Sequence, residues 1–105
     1  MKIAITSTGN SPESNLDSRF GRCSFFVIYD TVSHSTEFIP NPYNENIEEA
    51  GLASVRLISS RGVEKVVSGE FGTKVKSLFD SMKIKLIILK DTEKRISAII
   101  ELLNH

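Results

Sequence analysis

One cysteine, Cys23, stands among the 105 residues. A lone thiol cannot close an internal disulfide, which agrees with a reducing compartment. It also excludes an all-protein tetrathiolate zinc or iron–sulfur site within one chain. Histidine is nearly as scarce. Of the two, His34 falls in a predicted hairpin turn and His105 is the last residue, so neither is placed to form a catalytic dyad with Cys23. Net charge is zero, with 13 Lys plus Arg against 13 Asp plus Glu. That balance gives no general attraction to nucleic acid or to an anionic membrane. Long apolar runs are missing: nothing is long enough to span a bilayer, and "MKIAITSTGN" lacks the hydrophobic region of a signal peptide. The expectation is a cytoplasmic protein that binds neither nucleic acid nor membrane. No carboxylate pair has a recognisable catalytic spacing, with Asp80, Asp91 and Glu93 reading as solvated or capping groups. No strand carries the acidic set that a metal-dependent hydrolase needs. Nothing here assembles an enzyme.

What is there suits one domain over residues 1–105, with 40% hydrophobic and 25% charged residues and a single core. "MKIAIT" alternates Ile3 and Ile5 and reads as a first strand. Residues 7–22 form a long segment rich in Ser, Asn, Gly and Pro; loops of that length are usually functional or disordered. "SFFVIYD" is dense in aromatic and β-branched residues and reads as a second strand. "TVSH" looks like a hairpin turn, and "STEFIP" a weaker third strand ended by Pro40 and Pro42. In "NIEEAGLASVRLISSRG", Asn46 and Glu49 fit a capping box, Ile47, Ala50, Ala53, Leu57 and Ile58 mark a packed helical face, and Gly62 suits a left-handed stop. "EKVVSG" follows as the fourth strand. "TKVKSLFDSM" sets Val75, Leu78, Phe79 and Met82 on one helical stripe. "IKLIILK" is apolar without alternation, predicting a fifth strand covered on both faces. "TEKRISAIIELLNH" repeats the stripe at Ile96, Ile99, Ile100 and Leu103.

This order, β-β-β-α-β-α-β-α, makes strands 4 and 5 parallel through helical crossovers. With strand 2 antiparallel beside strand 1 and strand 4 parallel to it, the long loop, "DSRFGRC" and "SGEFG" share one edge of the sheet. Open α/β sheets bind ligands at such an edge. In "DSRFGRC", Arg19 and Arg22 have the fork geometry for a carboxylate, phosphate or anionic cluster. Gly21 permits an unusual backbone angle and Phe20 is suited to plug the core beneath. An Asp17–Arg19 or Asp17–Arg22 pair that simply pins the loop fits equally well. Cys23 beside Arg22 reads either as a lowered-pKa thiolate ligand or as a small hydrophobe opening a core strand. "GEFGTK" places Gly69 and Gly72 in a strand-to-helix turn. Such a turn lets backbone N–H groups approach an anion, although it is not a P-loop and a plain βα turn needs glycines as well.

The ordered set "MKIAIT", "FGRCSFFVIYD", "NP" at 41–42, Gly51, "RGVEKVVSGEFG" and "MKIKLIIL" resembles the dinitrogenase iron–molybdenum cofactor biosynthesis family, the nitrogenase accessory-factor type (NifX/NifB C-terminal-domain type). The resemblance runs nearly end to end. It implies a three-layer ribonuclease H-like α/β fold, with a five-stranded mixed sheet in order 3-2-1-4-5 and three helices. It implies a non-enzymatic carrier or accessory protein for an iron–sulfur or iron–molybdenum-type cluster or its precursor, with cluster-assembly proteins as partners. Carried across by position, the ligand-binding candidates are Arg19, Phe20, Gly21, Arg22, Gly69 and Gly72, with Cys23 as the metal anchor. Arg19 stands where many relatives have histidine, and Glu70 adds a negative charge to the second turn. The competing expectation is a metal-free interaction or regulatory module using the same edge.

Overall fold

A computed structural model describes residues 1–44 and 50–104. The strands are β1 (Lys2–Ser7), β2 (Phe25–Asp30), β3 (Thr36–Pro40), β4 (Val63–Ser68) and β5 (Lys85–Ile88). The helices are α1 (Ala50–Ser59), α2 (Thr73–Ser81) and α3 (Ile96–Leu103). The strands form one mixed sheet in the order β3-β2-β1-β4-β5. β2 runs antiparallel to both β1 and β3, whereas β4 is parallel to β1 and β5.

Side chains alternate across the pleat, and this divides the core into two layers. Ala4, Phe26, Ile28 and Val66 face one side, where α1 contributes Val55 and Ile58 and α2 contributes Val75 and Phe79. Ile3, Ile5, Val27 and Val67 face the other, under Ile96 and Ile99 of α3. The central strand β1 is buried from Ile3 to Ser7, with β2 and β4 paired on its two sides and a core layer on each face. The architecture is therefore the three-layer α/β arrangement expected from the sequence.

Several details differ from the sequence reading. The buried face of α1 is Ala50, Ser54, Val55 and Ile58; Ala53 and Leu57 are only half-buried. The expected capping box of Asn46 and Glu49, with Ile47, lies outside the described residues, as does His105. The helix ends at Ser59, and Gly62 closes the turn that follows, in the left-handed region at φ 75°. On α2, Val75 and Phe79 are buried while Met82 is 40% exposed. β5 was expected to be covered on both faces, but as the sheet's outer strand it is half-covered. Leu86 packs against one core layer and Ile87 against the other, while Lys85 and Ile88 are exposed.

α3 starts at Ile96 rather than near Thr92. The preceding residues form a turn in which the Asp91 carboxylate accepts the Glu93 N–H at 3.1 Å. Its first N–H groups are capped from the long loop: Ile96 donates to the Ser14 carbonyl and Ser97 to the Pro12 carbonyl, at 2.9 and 3.0 Å. Leu16 buries its side chain beneath the same helix. The loop is thus tied to the sheet's α3 face by backbone bonds and one apolar anchor, so its path is set before it reaches Asp17.

Candidate functional site

Both glycine-bearing turns meet at the rim where β1 and β4 end and β2 begins. Two backbone bonds join them. The Gly69 N–H donates to the Asp17 carbonyl and the Phe20 N–H donates to the Glu70 carbonyl, each at 3.3 Å, and Arg19 and Glu70 pair as an isolated parallel bridge. The approach is close enough to dictate glycine at 69, where a Cβ would lie 2.5 Å from the Ser18 Cα. Gly69 is therefore required where the two loops join.

Gly21 also serves the backbone. It adopts φ 92°, a region that side chains disfavour, and its missing Cβ faces the Gly51 Cα at 2.8 Å. This lets the loop lie directly on α1. Phe20 plugs the core as expected, with ring centroids 5.5 Å from Phe26, 5.5 Å from Phe71 and 5.3 Å from Phe79. Such tilted and edge-on pairs stabilise beyond the area they bury. The plug fixes the height of the loop, leaving Arg19 and Arg22 at the surface on either side of it.

Sequence reasoning overlooked the residue that organises this loop from below. Asn41 is buried, and its Nδ2 donates to the Gly21 and Cys23 carbonyls, both at 3.0 Å. Its Oδ1 accepts the Tyr43 N–H at 3.0 Å. An Asn at the end of an edge strand, just before Pro42, was the available signal, since such positions favour side chain-to-backbone bonding.

The electrostatics of the rim are uneven. Asp17 is buried and accepts the Arg19 N–H at 2.9 Å; the Arg19 Nε lies 3.8 Å from the same oxygen. The loop-pinning pair considered for Asp17 and Arg19 is thus present, though with Arg19 60% exposed it contributes about 0–1 kcal/mol. On this side an open pocket of about 460 Å³ is lined by Arg19, Phe20, Arg22, Glu70, Phe71 and Gly72. Glu70 and Asp17 offset the arginines there. Beyond Arg22 and Gly72 lies a second pocket of about 360 Å³, whose lining includes Gly51, Thr73, Lys74 and Val75. Among the described residues no acidic side chain lines it.

That second pocket sits on the N-terminus of α2. Gly72 is the N-cap, in extended conformation and without a side-chain cap bond, and its carbonyl accepts the Lys76 N–H at 3.0 Å to close the first turn. The earlier N–H groups of the helix are left to the pocket. Nothing would obstruct a Cβ at Gly72, so the pocket reaches right up to the backbone. Arg22 and Lys74 add two cations to these donors. Lys74 escaped the sequence reading because a lysine in the first turn of a helix runs against the helix dipole; that mismatch was the clue.

Cys23 is placed differently from its neighbours. Its side chain is wholly inaccessible and lies within the α1/α2 core layer, with Asn41 Nδ2 4.0 Å from Sγ. Burial pushes the thiol from 9.0 up to about 12, and the Asp17 carboxylate adds to the effect. A neutral thiol beneath the loop weighs against the thiolate-anchor reading and favours the small-hydrophobe one. Among the described residues no group of three His, Cys, Asp or Glu is arranged to hold a metal ion. The donor set therefore suits an anion held by cations and amides, and does not suit an ion that needs protein ligands.

The family model for dinitrogenase iron–molybdenum cofactor proteins matches residues 1–104. An uncharacterised protein of Methanocaldococcus jannaschii is 30% identical over 87 residues, covering 80% of this chain and 70% of that protein. Among solved structures, the apo form of the orange protein from Desulfovibrio gigas superposes with a TM-score of 0.89 at 21% identity, over 97% of this chain and 85% of that one. A Thermotoga protein of the DUF35 family, provisionally named NifB, superposes with a TM-score of 0.82 at 24% identity, again over 97% and 85%. These structural likenesses speak for the fold alone. The family match, running through both rim turns, settles the identity: this chain belongs to the dinitrogenase iron–molybdenum cofactor family.

Proposed function

We propose that this protein is a non-enzymatic carrier or accessory factor that holds an anionic metal–sulfur cluster, of the iron–sulfur or iron–molybdenum type, or its precursor. Cluster-assembly proteins would load and unload it. The observation that carries this reading is the convergence of Arg22, Lys74 and the α2 N-terminus, which has no side-chain cap bond, on one pocket. Family membership supplies the kind of anion. Arg19, Phe20, Gly21 and Gly69 serve by building the rim, and Arg22 and Gly72 by facing the cargo. Charge-assisted hydrogen bonds of this kind contribute about 1.5–3 kcal/mol each. An open rim also suits a cargo that must be handed on.

Anaerobic reconstitution with iron, sulfide and molybdate tests the proposal. The expected product is coloured, with a visible charge-transfer band that survives Cys23→Ser. Losing one charge-assisted contact in Arg22→Gln should weaken retention by about tenfold to a hundredfold. A colourless, metal-free protein contradicts cluster binding. Such a result would favour a second reading, a metal-free interaction module using the same rim, for which the burial of Cys23 is the supporting observation.

A further inference from the structure

The flank of α2 that faces β5, away from the cargo pocket, carries a feature the cluster reading does not use. A groove of about 870 Å³ runs between α2 and the sheet's outer strand. Its floor is apolar, formed by Ile84, Leu86 and Ile88, and its rim carries Lys76, Lys83 and Lys85 against a single acid, Asp80. Ile88 is 45% exposed, and Lys90 lies just beyond the strand, also exposed. In a chain whose charges balance overall, this cationic excess is local.

β5 pairs with β4 on one side and with nothing on the other. The Leu89 N–H points toward β4, where it donates to the Ser68 carbonyl at 3.0 Å. Backbone direction alternates along a strand, so Leu86 and Ile88 turn their N–H and C=O groups outward. Those same two residues direct side chains to the α2 side of the sheet, Leu86 being packed in that layer. A strand added here would bond to these groups and lay alternate side chains along the groove.

We propose that the β5 edge is a docking site for an extended partner segment that alternates acidic and apolar residues, taken up by strand addition. The charges choose this occupant over a second copy of the chain. Two β5 edges meeting around a two-fold axis run antiparallel, which would bring Lys85 at the start of each strand alongside Lys90 at the end of the other. Edge lysines deter like copies for this reason, and the same lysines attract and orient an acidic strand. The inference does not rest on the cluster reading, since it uses none of the pocket's residues.

The test is amide chemical-shift mapping of the full chain with a capped peptide of about eight alternating Glu and Val residues, a typical strand length. The expected result is saturable shifts at the Leu86 and Ile88 amides. Binding should be at least about tenfold weaker for the Lys–Val peptide of equal length and for the exposed double variant Lys76→Glu/Lys85→Glu. Ile88→Pro, which removes an outward N–H at an edge position where proline is tolerated, should block the shifts while leaving the rest of the spectrum folded. Shifts confined to lysine side chains, equal binding of a backbone N-methylated Glu–Val peptide, or dimerisation of the free chain through β5 would each overturn the proposal.

Discussion

Cys23 and Arg22 are adjacent in sequence and opposite in chemical fate. Phe20 and Cys23 enter the core while Arg22 remains at the rim, because the left-handed Gly21 turns the chain between them. The buried thiol keeps its proton until about 12, whereas an unfolded one releases it near 9.0. Its contribution to stability is therefore complete below the lower value and is lost as pH rises between the two. We predict that the folded chain resists thiol-alkylating reagents at neutral pH and reacts once unfolded. Denaturant titrations should show it losing stability relative to Cys23→Ala as pH climbs above about 9. Rapid labelling of the folded state, or parallel pH profiles, would mean that the thiol is not sequestered. Residue chemistry of this kind was only half-legible in the sequence. The rim placement of Arg22 and Gly72 followed from the topology, but a thiol beside an arginine reads as ligand or as core, and its depth is what separates the two.

At the scale of elements, the informative feature is how the long loop is held. Its start is tied to α3 through the Pro12 and Ser14 carbonyls, and its end is tied to β3 through Asn41. The exposed Arg95–Glu13 pair at 2.8 Å adds little, being open to water. Asn41 matters more because it satisfies buried carbonyls. Asn41→Ala should destabilise the fold by about 2–4 kcal/mol in urea unfolding. Asn41→Asp should fare no better, since a carboxylate has no N–H to donate. A loss under about 0.5 kcal/mol would show that the loop holds itself. The succession of elements and the α2 and α3 stripes were legible, because apolar periodicity and short crossovers leave few topologies, and the strand order followed from the family resemblance. The loop's anchoring was not. Backbone carbonyls that cap a distant helix leave no mark in side-chain identity, and the buried face of α1 included Ser54, which a hydrophobicity pattern passes over. β5 read as doubly covered because its composition resembles a central strand; its edge position leaves Ile88 exposed instead.

Across the whole molecule, two core layers enclose the sheet while both proposed functional features lie on α2. On one flank, the helix N-terminus, Arg22 and Lys74 form the pocket proposed for the cargo; on the other, the lysine-rimmed groove lies along β5. A docked strand would thus sit one helix away from the cargo. None of the described helices is long and apolar enough to cross a membrane. The convergence of the two turns was legible from topology alone, whereas the shift of the cationic centre from Arg19 toward Lys74 needed coordinates, since it depends on which cations Asp17 and Glu70 offset.

The central claim is that main-chain amides and cations hold the cargo, without help from a thiolate. Metal and acid-labile sulfide analysis of protein purified without oxygen addresses it directly, run side by side on the unchanged chain, Cys23→Ser and Gly72→Asp. An aspartate at the N-cap should add a side-chain cap and leave stability equal or higher by about a few tenths of a kcal/mol, while placing negative charge in the pocket. Metal and sulfide retained together in the first two proteins and lost from the folded Gly72→Asp is the predicted result. Metal lost from Cys23→Ser but kept by Gly72→Asp would contradict it.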